Sequence, residues 1–354
     1  FGLKVRLIGP GEAEVGASGQ APPRSALVDG AGRRVSYLRL SVTDRCDLRC
    51  TYCMPERMRF LPKTDILSFE ELARLVDGFI ARGITKLRIT GGEPLVRRDV
   101  MQLLEHLSRR LGTTGLKEIS LTTNGTRLEH YAADLKRLGI ERINVSLDTL
   151  SPKMFQRVTR KDQFETVMRG IAKARDVGLK IKINTVALRN INEDEIPEIV
   201  EWAHRQAFDV SLIETMPLGE GVAAREDHYL SLLTVRETLA KRWSLEPLVY
   251  STGGPSRYVR IAETGGRLGF ISPLSHNFCG TCNRVRVTCT GMLYTCLGYE
   301  AGVDLRGALR AEPDGSVFHD VLDQALRQKP ERHNFDAERI DQPATQRTMS
   351  VTGG

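Results

Sequence analysis

From Tyr37 onward the chain shows short runs in which polar and apolar residues strictly alternate. Each run is followed by a stretch with helical periodicity. The alternation predicts strands at Tyr37–Thr43, Lys86–Thr90, Glu118–Asn124, Arg142–Asp148, Lys180–Val186 and Asp209–Thr215. Between the first two lies the best-defined helix. Ser68 and Glu71 make a capping-box pattern, and Leu72, Leu75, Val76, Phe79 and Ile80 form one apolar face. Gly83 then falls where a C-terminal cap belongs. Strands and helices joined by short links predict right-handed crossovers and a parallel sheet. Six such units predict an α/β fold built on an incomplete (βα)6 TIM-type barrel.

The polar half of the alternation is informative, because parallel strands wrapped by helices are usually apolar on both faces. Here Leu38, Leu40, Leu87, Ile89, Ile119, Leu121, Ile143, Val145, Ile181 and Ile183 share one face. Arg39, Arg88, Thr122, Asn144, Lys182 and Asn184 lie on the other. If the apolar set packs on the helices, the polar set lines an interior. Leaving such groups unpaired costs roughly 2–7 kcal/mol each, so a polar, anionic ligand is predicted to fill the lumen. An antiparallel sheet with one wet face is the alternative, and the intervening helices argue against it.

Around this unit the texture changes twice. Residues 1–34 are rich in glycine and proline without periodicity, which predicts a mobile N-terminal tail. The barrel is predicted over 35–243. Short β-like runs and glycines over 244–354 predict a C-terminal, β-rich lobe, with a polar end read as a frayed terminus closing in Gly353-Gly354. A chain of 354 residues with 41% hydrophobic content and a net charge of +7 is neither supercharged nor histone-like. No run approaches the ~18 apolar residues of a membrane-spanning helix.

The seven cysteines fall in two groups. An odd, clustered set excludes a fully paired disulfide scaffold and points to metal binding in a reducing, cytoplasmic setting. Cys46, Cys50 and Cys53 follow the first strand as C-x3-C-x2-C, on a loop at the carboxyl end of a barrel strand, where sites of this architecture sit. A structural zinc site wants four ligands. Three thiolates suit a four-iron cluster with one iron left open, the alternatives being zinc completed from afar or three unrelated thiols. The second strand ends in Gly91-Gly92-Glu93-Pro94, where two glycines allow backbone to approach a ligand and Glu93 can accept from an ammonium group.

The second group is Cys279, Cys282, Cys289 and Cys296. The runs around Thr290-Gly291 predict a hairpin with a two-residue turn, Cys296 opposite Val285 and Cys289 at the tip. Seven extended residues span roughly 23 Å, so Cys279, Cys282 and Cys296 (C-x2-C-x13-C) group together and Cys289 stands apart. His276 is a candidate fourth ligand, weighed against an ordinary loop histidine.

The motif from Cys46 to Cys53, with Tyr52 before the last cysteine and the Gly-Gly-Glu-Pro turn beyond, resembles the radical S-adenosylmethionine superfamily. With the second cysteine set, Asn283-Arg284-Val285-Arg286 and the Gly-Gly end, it is similar to the GTP 3′,8-cyclases of molybdenum cofactor biosynthesis. That resemblance covers about Val35 to Gly354. It implies two [4Fe–4S] clusters, with Cys46, Cys50 and Cys53 on the first and Cys279, Cys282 and Cys296 on the second. It implies S-adenosylmethionine contacts at Tyr52, Gly92, Ser146 and Met216. GTP contacts are implied at Arg39, Arg88, Thr122, Lys182, Arg284 and Arg286, with the Gly-Gly end reaching into the site. Three of these cations belong to the interior face deduced above.

The implied reaction is abstraction of the 3′ hydrogen of GTP by a 5′-deoxyadenosyl radical and attack on C8. The products are (8S)-3′,8-cyclo-7,8-dihydroguanosine 5′-triphosphate, 5′-deoxyadenosine and methionine. Implied partners are an electron donor such as flavodoxin or ferredoxin, a downstream cyclic pyranopterin monophosphate synthase and, as a homodimer, a second copy of the chain. Neither a membrane nor a nucleic acid is expected. Asp47 and Cys289 depart from the family pattern, and neither is expected to touch a ligand. Two competing readings are a radical enzyme modifying a peptide or nucleic acid with an auxiliary cluster, and a zinc-bearing nucleic-acid binder.

Overall fold

The computed structural model describes residues 26–55, 57–219, 225–311 and 315–353. The six predicted strands are all present: β1 (Tyr37–Ser41), β2 (Lys86–Thr90), β3 (Glu118–Thr123), β4 (Arg142–Ser146), β5 (Lys180–Ala187) and β6 (Asp209–Glu214). Each pairs in parallel with the next. Between them run α1 (Phe69–Ala81), α2 (Val100–Ser108), α3 (Leu128–Arg137), α4 (Pro152–Thr159), α5 (Phe164–Asp176) and α6 (Ile196–Arg205). The capping box at α1 forms as its residues require. The Ser68 hydroxyl accepts from the Glu71 N–H at 3.2 Å, and the Glu71 carboxylate accepts from the Ser68 N–H at 2.8 Å. Leu72, Leu75, Val76 and Phe79 are buried beneath it, each contributing about 1.5–3 kcal/mol.

The apolar face of the strands and the helices forms one continuous core, which holds Leu38, Leu40, Leu87, Ile89, Leu121, Val145 and Ile183. The opposite face is turned into the lumen, as the alternation predicts.

The predicted C-terminal lobe is resolved differently. After α7 (Arg225–His228) and α8 (Leu232–Ala240), strands β7 (Leu245–Pro247), β8 (Arg257–Ile261) and β9 (Arg267–Ile271) form an antiparallel unit whose last strand joins β6 in parallel. Strands β10 (Arg284–Val287), β11 (Met292–Tyr294) and β12 (Val303–Asp304) form another, and β10 joins β1 in parallel. Among the described residues the sheet therefore runs β12-β11-β10-β1-β2-β3-β4-β5-β6-β9-β8-β7. The expected boundary at 243/244 falls within this one sheet, and its residues on both sides share the core. An open barrel leaves two edges with unpaired backbone groups, and these two units cover them. Helices α9 (Leu305–Ala311), α10 (Ser316–Arg327) and α11 (Met349–Thr352) complete the chain.

Of the tail predicted over 1–34, the described part, residues 26–34, is docked on the fold. Residues 1–25 lie outside the described residues. Leu27 and Val35 are fully buried, and the Leu27 N–H donates to the Arg82 carbonyl at 3.1 Å. Arg33 pairs with Asp29 at 2.7 Å and donates to the carbonyls of Cys279 and Pro330. Two apolar side chains and one multidentate arginine thus dock a segment whose glycine content predicts mobility.

A candidate active site inside the barrel

The lumen opens as one cavity lined by all six clustered cysteines, Cys46, Cys50, Cys53, Cys279, Cys282 and Cys296. Tyr52, Gly92, Ser146 and Met216 line it, as do Arg39, Arg88, Thr122, Lys182, Arg284 and Arg286. The structure therefore brings to one space every residue that the resemblance implies as a cluster, S-adenosylmethionine or GTP contact. His276 is exposed and absent from the lining, so it is not placed as a ligand.

Strand register sets where these groups stand. Arg39 on β1 lies opposite Arg88 on β2 and opposite Arg286 on β10. Asn144 on β4 lies opposite Lys182 on β5, and Thr122 on β3 lies opposite Asn144. Arg39, Arg88 and Lys182 are buried. Burial, then the neighbouring Arg286 and Arg88, hold the Arg39 guanidinium well below its usual pKa. Burial, then Arg284, brings Arg286 down to about 10. Against the effect of its own burial, Arg88, Arg39 and Lys182 draw the Tyr37 hydroxyl below its ordinary value. Cations that depress one another in this way are relieved by an anion among them.

Neutral groups tell the same story. Thr122 Oγ1, Asn184 Oδ1, Thr90 Oγ1, Thr215 Oγ1 and both amide atoms of Asn144 are buried without a hydrogen-bond partner. Buried polar groups are ordinarily satisfied, so this is a polar surface shaped for a ligand.

The two thiol sets occupy opposite ends of the lumen because β1 and β10 are parallel. Cys46, Cys50 and Cys53 follow the carboxyl end of β1, whereas Cys279 and Cys282 precede the amino end of β10. At the first set, burial and nearby Glu93 push the Cys46 thiol up to about 12. Burial raises Cys53 to about 12 against the N–H of Ser350, and raises Cys50 well above its usual value. Asn124 Nδ2 is 3.7 Å from Cys46 Sγ and donates to Asp47 at 2.7 Å. Asp47 thus adjoins the first cysteine through Asn124, closer to the site than its sequence suggests.

At the second set the surroundings are cationic. Arg284 Nη2 lies 3.8 Å and Lys329 Nζ 3.6 Å from Cys282 Sγ. Burial would raise this thiol, but Arg284 and Lys329 bring it down to about 7. Among the described residues no group of Cys, His, Asp or Glu is arranged to hold a single metal ion. Three thiols sharing a cavity, with Arg284 and Lys329 aimed at the Cys282 sulfur, fit the wider footprint of a multi-iron cluster.

Several local expectations change. The hairpin turn holds three residues, since Arg286 pairs with Tyr294 and Thr288 N–H donates to the Met292 carbonyl. Gly291 at φ 89° supplies the left-handed residue that ends such a turn. Cys296 therefore follows a register shifted by one, toward Arg284 rather than Val285. Cys289 is fully buried, its carbonyl accepts from the Leu67 N–H, and it does not line the cavity that the other six cysteines share. Gly91 and Gly92 line the cavity, but a Cβ on either would strike backbone of Thr43 or Arg45. Their smallness seats the second-strand turn on the first cysteine loop. Glu93 does not line the cavity. Its carboxylate accepts from the N–H groups of Leu95 and Asn124 and from the Thr123 hydroxyl, so it braces the turn instead of meeting an ammonium group.

Other groups went unnominated. The Tyr52 hydroxyl donates to Asp148 Oδ2 at 2.6 Å, which fixes the ring beside the cysteines. A carboxylate at the carboxyl end of a barrel strand is a signal the sequence does carry. Asn144 and Asn184 sit on the polar face already recognised. The C-terminal segment enters the lumen, where Arg286 Nη1 donates to the Gly353 carbonyl at 2.6 Å and Met349 and Ser350 line the cavity. It is docked, not frayed as its polarity alone implies. Gly354 lies outside the described residues.

Comparison with known proteins decides the identity of this architecture. Residues 40–203 match the radical SAM superfamily, and residues 208–335 match the family described as Molybdenum Cofactor Synthesis C. A GTP 3′,8-cyclase of Erythrobacter litoralis is 58% identical over 330 residues, 93% of this chain and 99% of the relative. A GTP 3′,8-cyclase of Bradyrhizobium diazoefficiens is 56% identical over 339 residues, 96% of this chain and 98% of the relative.

The chain belongs to the GTP 3′,8-cyclase family.

It is accordingly a radical SAM enzyme of molybdenum cofactor biosynthesis, and the superfamily's [4Fe–4S] cluster and S-adenosylmethionine come with that membership. The fold is shared more widely. The crystal structure of Streptococcus suis SuiB bound to S-adenosylmethionine superposes with a TM-score of 0.59 at 16% identity, covering 83% of this chain and 68% of that one. Among the described residues no helix is long and apolar enough to cross a membrane.

Proposed function

We propose that this GTP 3′,8-cyclase binds its two substrates end to end in the barrel lumen, between two [4Fe–4S] clusters. Cys46, Cys50 and Cys53 would hold the first cluster and Cys279, Cys282 and Cys296 the second. The first cluster, when bound, supplies the electron that cleaves S-adenosylmethionine to methionine and the 5′-deoxyadenosyl radical. Tyr52, Gly92, Ser146 and Met216 hold S-adenosylmethionine at that end. Asp148 keeps the Tyr52 ring in place through its hydroxyl.

Arg39, Arg88, Lys182, Arg284 and Arg286 hold GTP, and the mutual repulsion of the buried cations is released by the triphosphate. Thr122 adds a hydroxyl, and Asn144 an amide without a protein partner. Positioning of the 3′ carbon against the adenosyl group, with water excluded, is the protein's share of the catalysis. The docked C-terminal segment closes the lumen beside Thr90 and Arg286. An electron donor of the flavodoxin or ferredoxin kind would reduce the enzyme, and a cyclic pyranopterin monophosphate synthase would take its product. We place the enzyme in the cytoplasm, as a homodimer.

The observation that carries this reading is the single cavity with a thiol triad at either end and a cationic face between. The test is anaerobic incubation of the iron- and sulfide-reconstituted protein with GTP, S-adenosylmethionine and dithionite. Formation of both 5′-deoxyadenosine and the cyclised nucleotide is expected. A colourless protein, or 5′-deoxyadenosine released without a nucleotide product, would overturn it.

A further inference from the structure

We propose that Lys329 is a positioning residue of the second thiol triad, which holds Cys282 in place and raises the reduction potential of the cluster bound there. The inference rests on the two-cluster reading above. Lys329 follows the end of α10 and is only 5% exposed, although lysine is almost never so buried unless paired. Its Nζ lies 3.6 Å from Cys282 Sγ and donates to the Thr295 carbonyl at 2.6 Å. Thr295 immediately precedes Cys296. One ammonium group thus ties together the two segments that carry Cys282 and Cys296. Its partners are a sulfur and a carbonyl, not a carboxylate, so the negative charge that balances it must come from the thiolates.

The two triads differ sharply in this respect. Asp47 and Glu93 stand near Cys46, and Asp148 stands near Cys50. Cys282 has Lys329 and Arg284. Net charge and hydrogen bonds to the sulfurs are main determinants of an iron–sulfur potential. A fixed cation donating to a ligand sulfur favours the form carrying the added electron, so the second cluster is the more easily reduced of the two. Arg284 lines the cavity and serves the nucleotide, whereas Lys329 does not line it. Lys329 can therefore be changed without deleting a substrate contact.

The test uses the full chain, reconstituted anaerobically, with iron counted and reduction by dithionite followed by electron paramagnetic resonance at poised potentials. The variant carrying Cys279→Ala, Cys282→Ala and Cys296→Ala identifies the second cluster by the reduction wave it lacks. In Lys329→Gln that wave should move to more negative potential. At the wild-type midpoint its reduced-to-oxidised ratio should fall about tenfold, equivalent to about 59 mV for one electron, while the first wave stays in place. Lys329→Arg keeps the charge and should remain within about threefold of wild type. Loss of the second cluster in Lys329→Gln but not in Lys329→Arg would equally support a role carried by the charge.

An unmoved second wave in a Lys329→Gln protein with eight irons overturns the proposal alone. Equal disturbance in both variants overturns it in favour of packing. A wild-type protein that holds only four irons overturns the two-cluster reading and the proposal with it.

Discussion

Substitution of Gly353 by alanine should abolish most of the activity while leaving the barrel intact. Gly353 has φ 79°, a left-handed value that costs an alanine roughly 1–2 kcal/mol. A Cβ built there would lie 2.0 Å from Thr90 Oγ1 and 2.9 Å from Thr90 Cβ. Thr90 is buried on β2, where the strand fixes its Cβ even if the hydroxyl turns aside, and overpacking of that kind adds about 1–3 kcal/mol. The end of the segment is held by the hydrogen bond from Arg286 to the Gly353 carbonyl, worth about 1.5–3 kcal/mol as a charged pair, while Ala344 and Gly219 anchor it further back. The penalty equals or exceeds that one bond, so the last residues should lose their seat against Thr90 in most molecules. With 1.4 kcal/mol per factor of ten, a fall of roughly ten- to hundredfold in kcat/KM for GTP is expected. The melting temperature should barely change, and proteolysis near Met349–Thr352 should accelerate. Full activity in Gly353→Ala, with the C-terminal segment still protected, would refute the argument that this residue is fitted against Thr90.

Three further outcomes follow from the lumen and its supports. Asn144→Leu removes two unsatisfied buried amide atoms, so the ligand-free protein should gain roughly 1–3 kcal/mol in a urea titration, while GTP affinity falls at least tenfold by calorimetry. Simultaneous gain of stability and retention of affinity would sink the ligand role of Asn144. Burial pushes Glu93 up to about 8 from 4.5, so the folded state keeps a proton the unfolded chain has released. Its contribution is fully present below pH 4.5 and is lost as pH rises toward 8, on the order of 5 kcal/mol in all. In the cluster-free protein, Glu93→Gln should therefore flatten the fall in melting temperature over that window, and parallel curves for the two proteins would contradict this. Changing Cys279, Cys282 and Cys296 to alanine should cut iron from about eight to about four per chain by the four-per-cluster reading. The first cluster's spectrum should remain and cyclisation should be lost; retained cyclisation would remove the second triad from the mechanism.

The barrel was legible because its strands alternate, and alternation is a local property that survives in the sequence. The same pattern located Arg39, Arg88 and Lys182 on the interior face, and the register then gathered them. Capping at Ser68 and Glu71 was legible for a similar reason, being a matter of three-residue spacing. What escaped depends on contacts remote in sequence. The turn at Cys289–Gly291 could be two or three residues on composition alone, and one residue shifts every partner of Cys296. The docking of Leu27 and Arg33 depends on Arg82, Cys279 and Pro330. Lys329 carries no local signal at all: it reads as a surface lysine until the fold lays it against Cys282. Glu93 was correctly singled out but wrongly employed, because its three donors come from a turn and a neighbouring strand that only the sheet brings together.

The strand that separates the two triads also discriminates between nucleotide and peptide chemistry. Tyr37 at the start of β1 lies opposite Arg284 at the start of β10, two residues beyond Cys282. Cys46 lies five residues past Ser41 at the other end of β1. A strand of five residues at ~3.3 Å each spans roughly 17 Å, so a molecule reaching one triad must leave room for a second before the other. Midway stand Arg286, Arg39 and Arg88 on adjacent strands. A peptide entering by its neutral backbone would leave the mutual repulsion of these neighbouring cations in place, since it brings no negative charge to set among them. A triphosphate supplies that charge in one compact group and leaves its base and sugar to extend along the lumen. A non-hydrolysable GTP analogue should therefore raise the melting temperature far more than guanosine, and Arg88→Met should erase most of that difference. If guanosine and the triphosphate stabilise equally, the cationic row does not serve the phosphates.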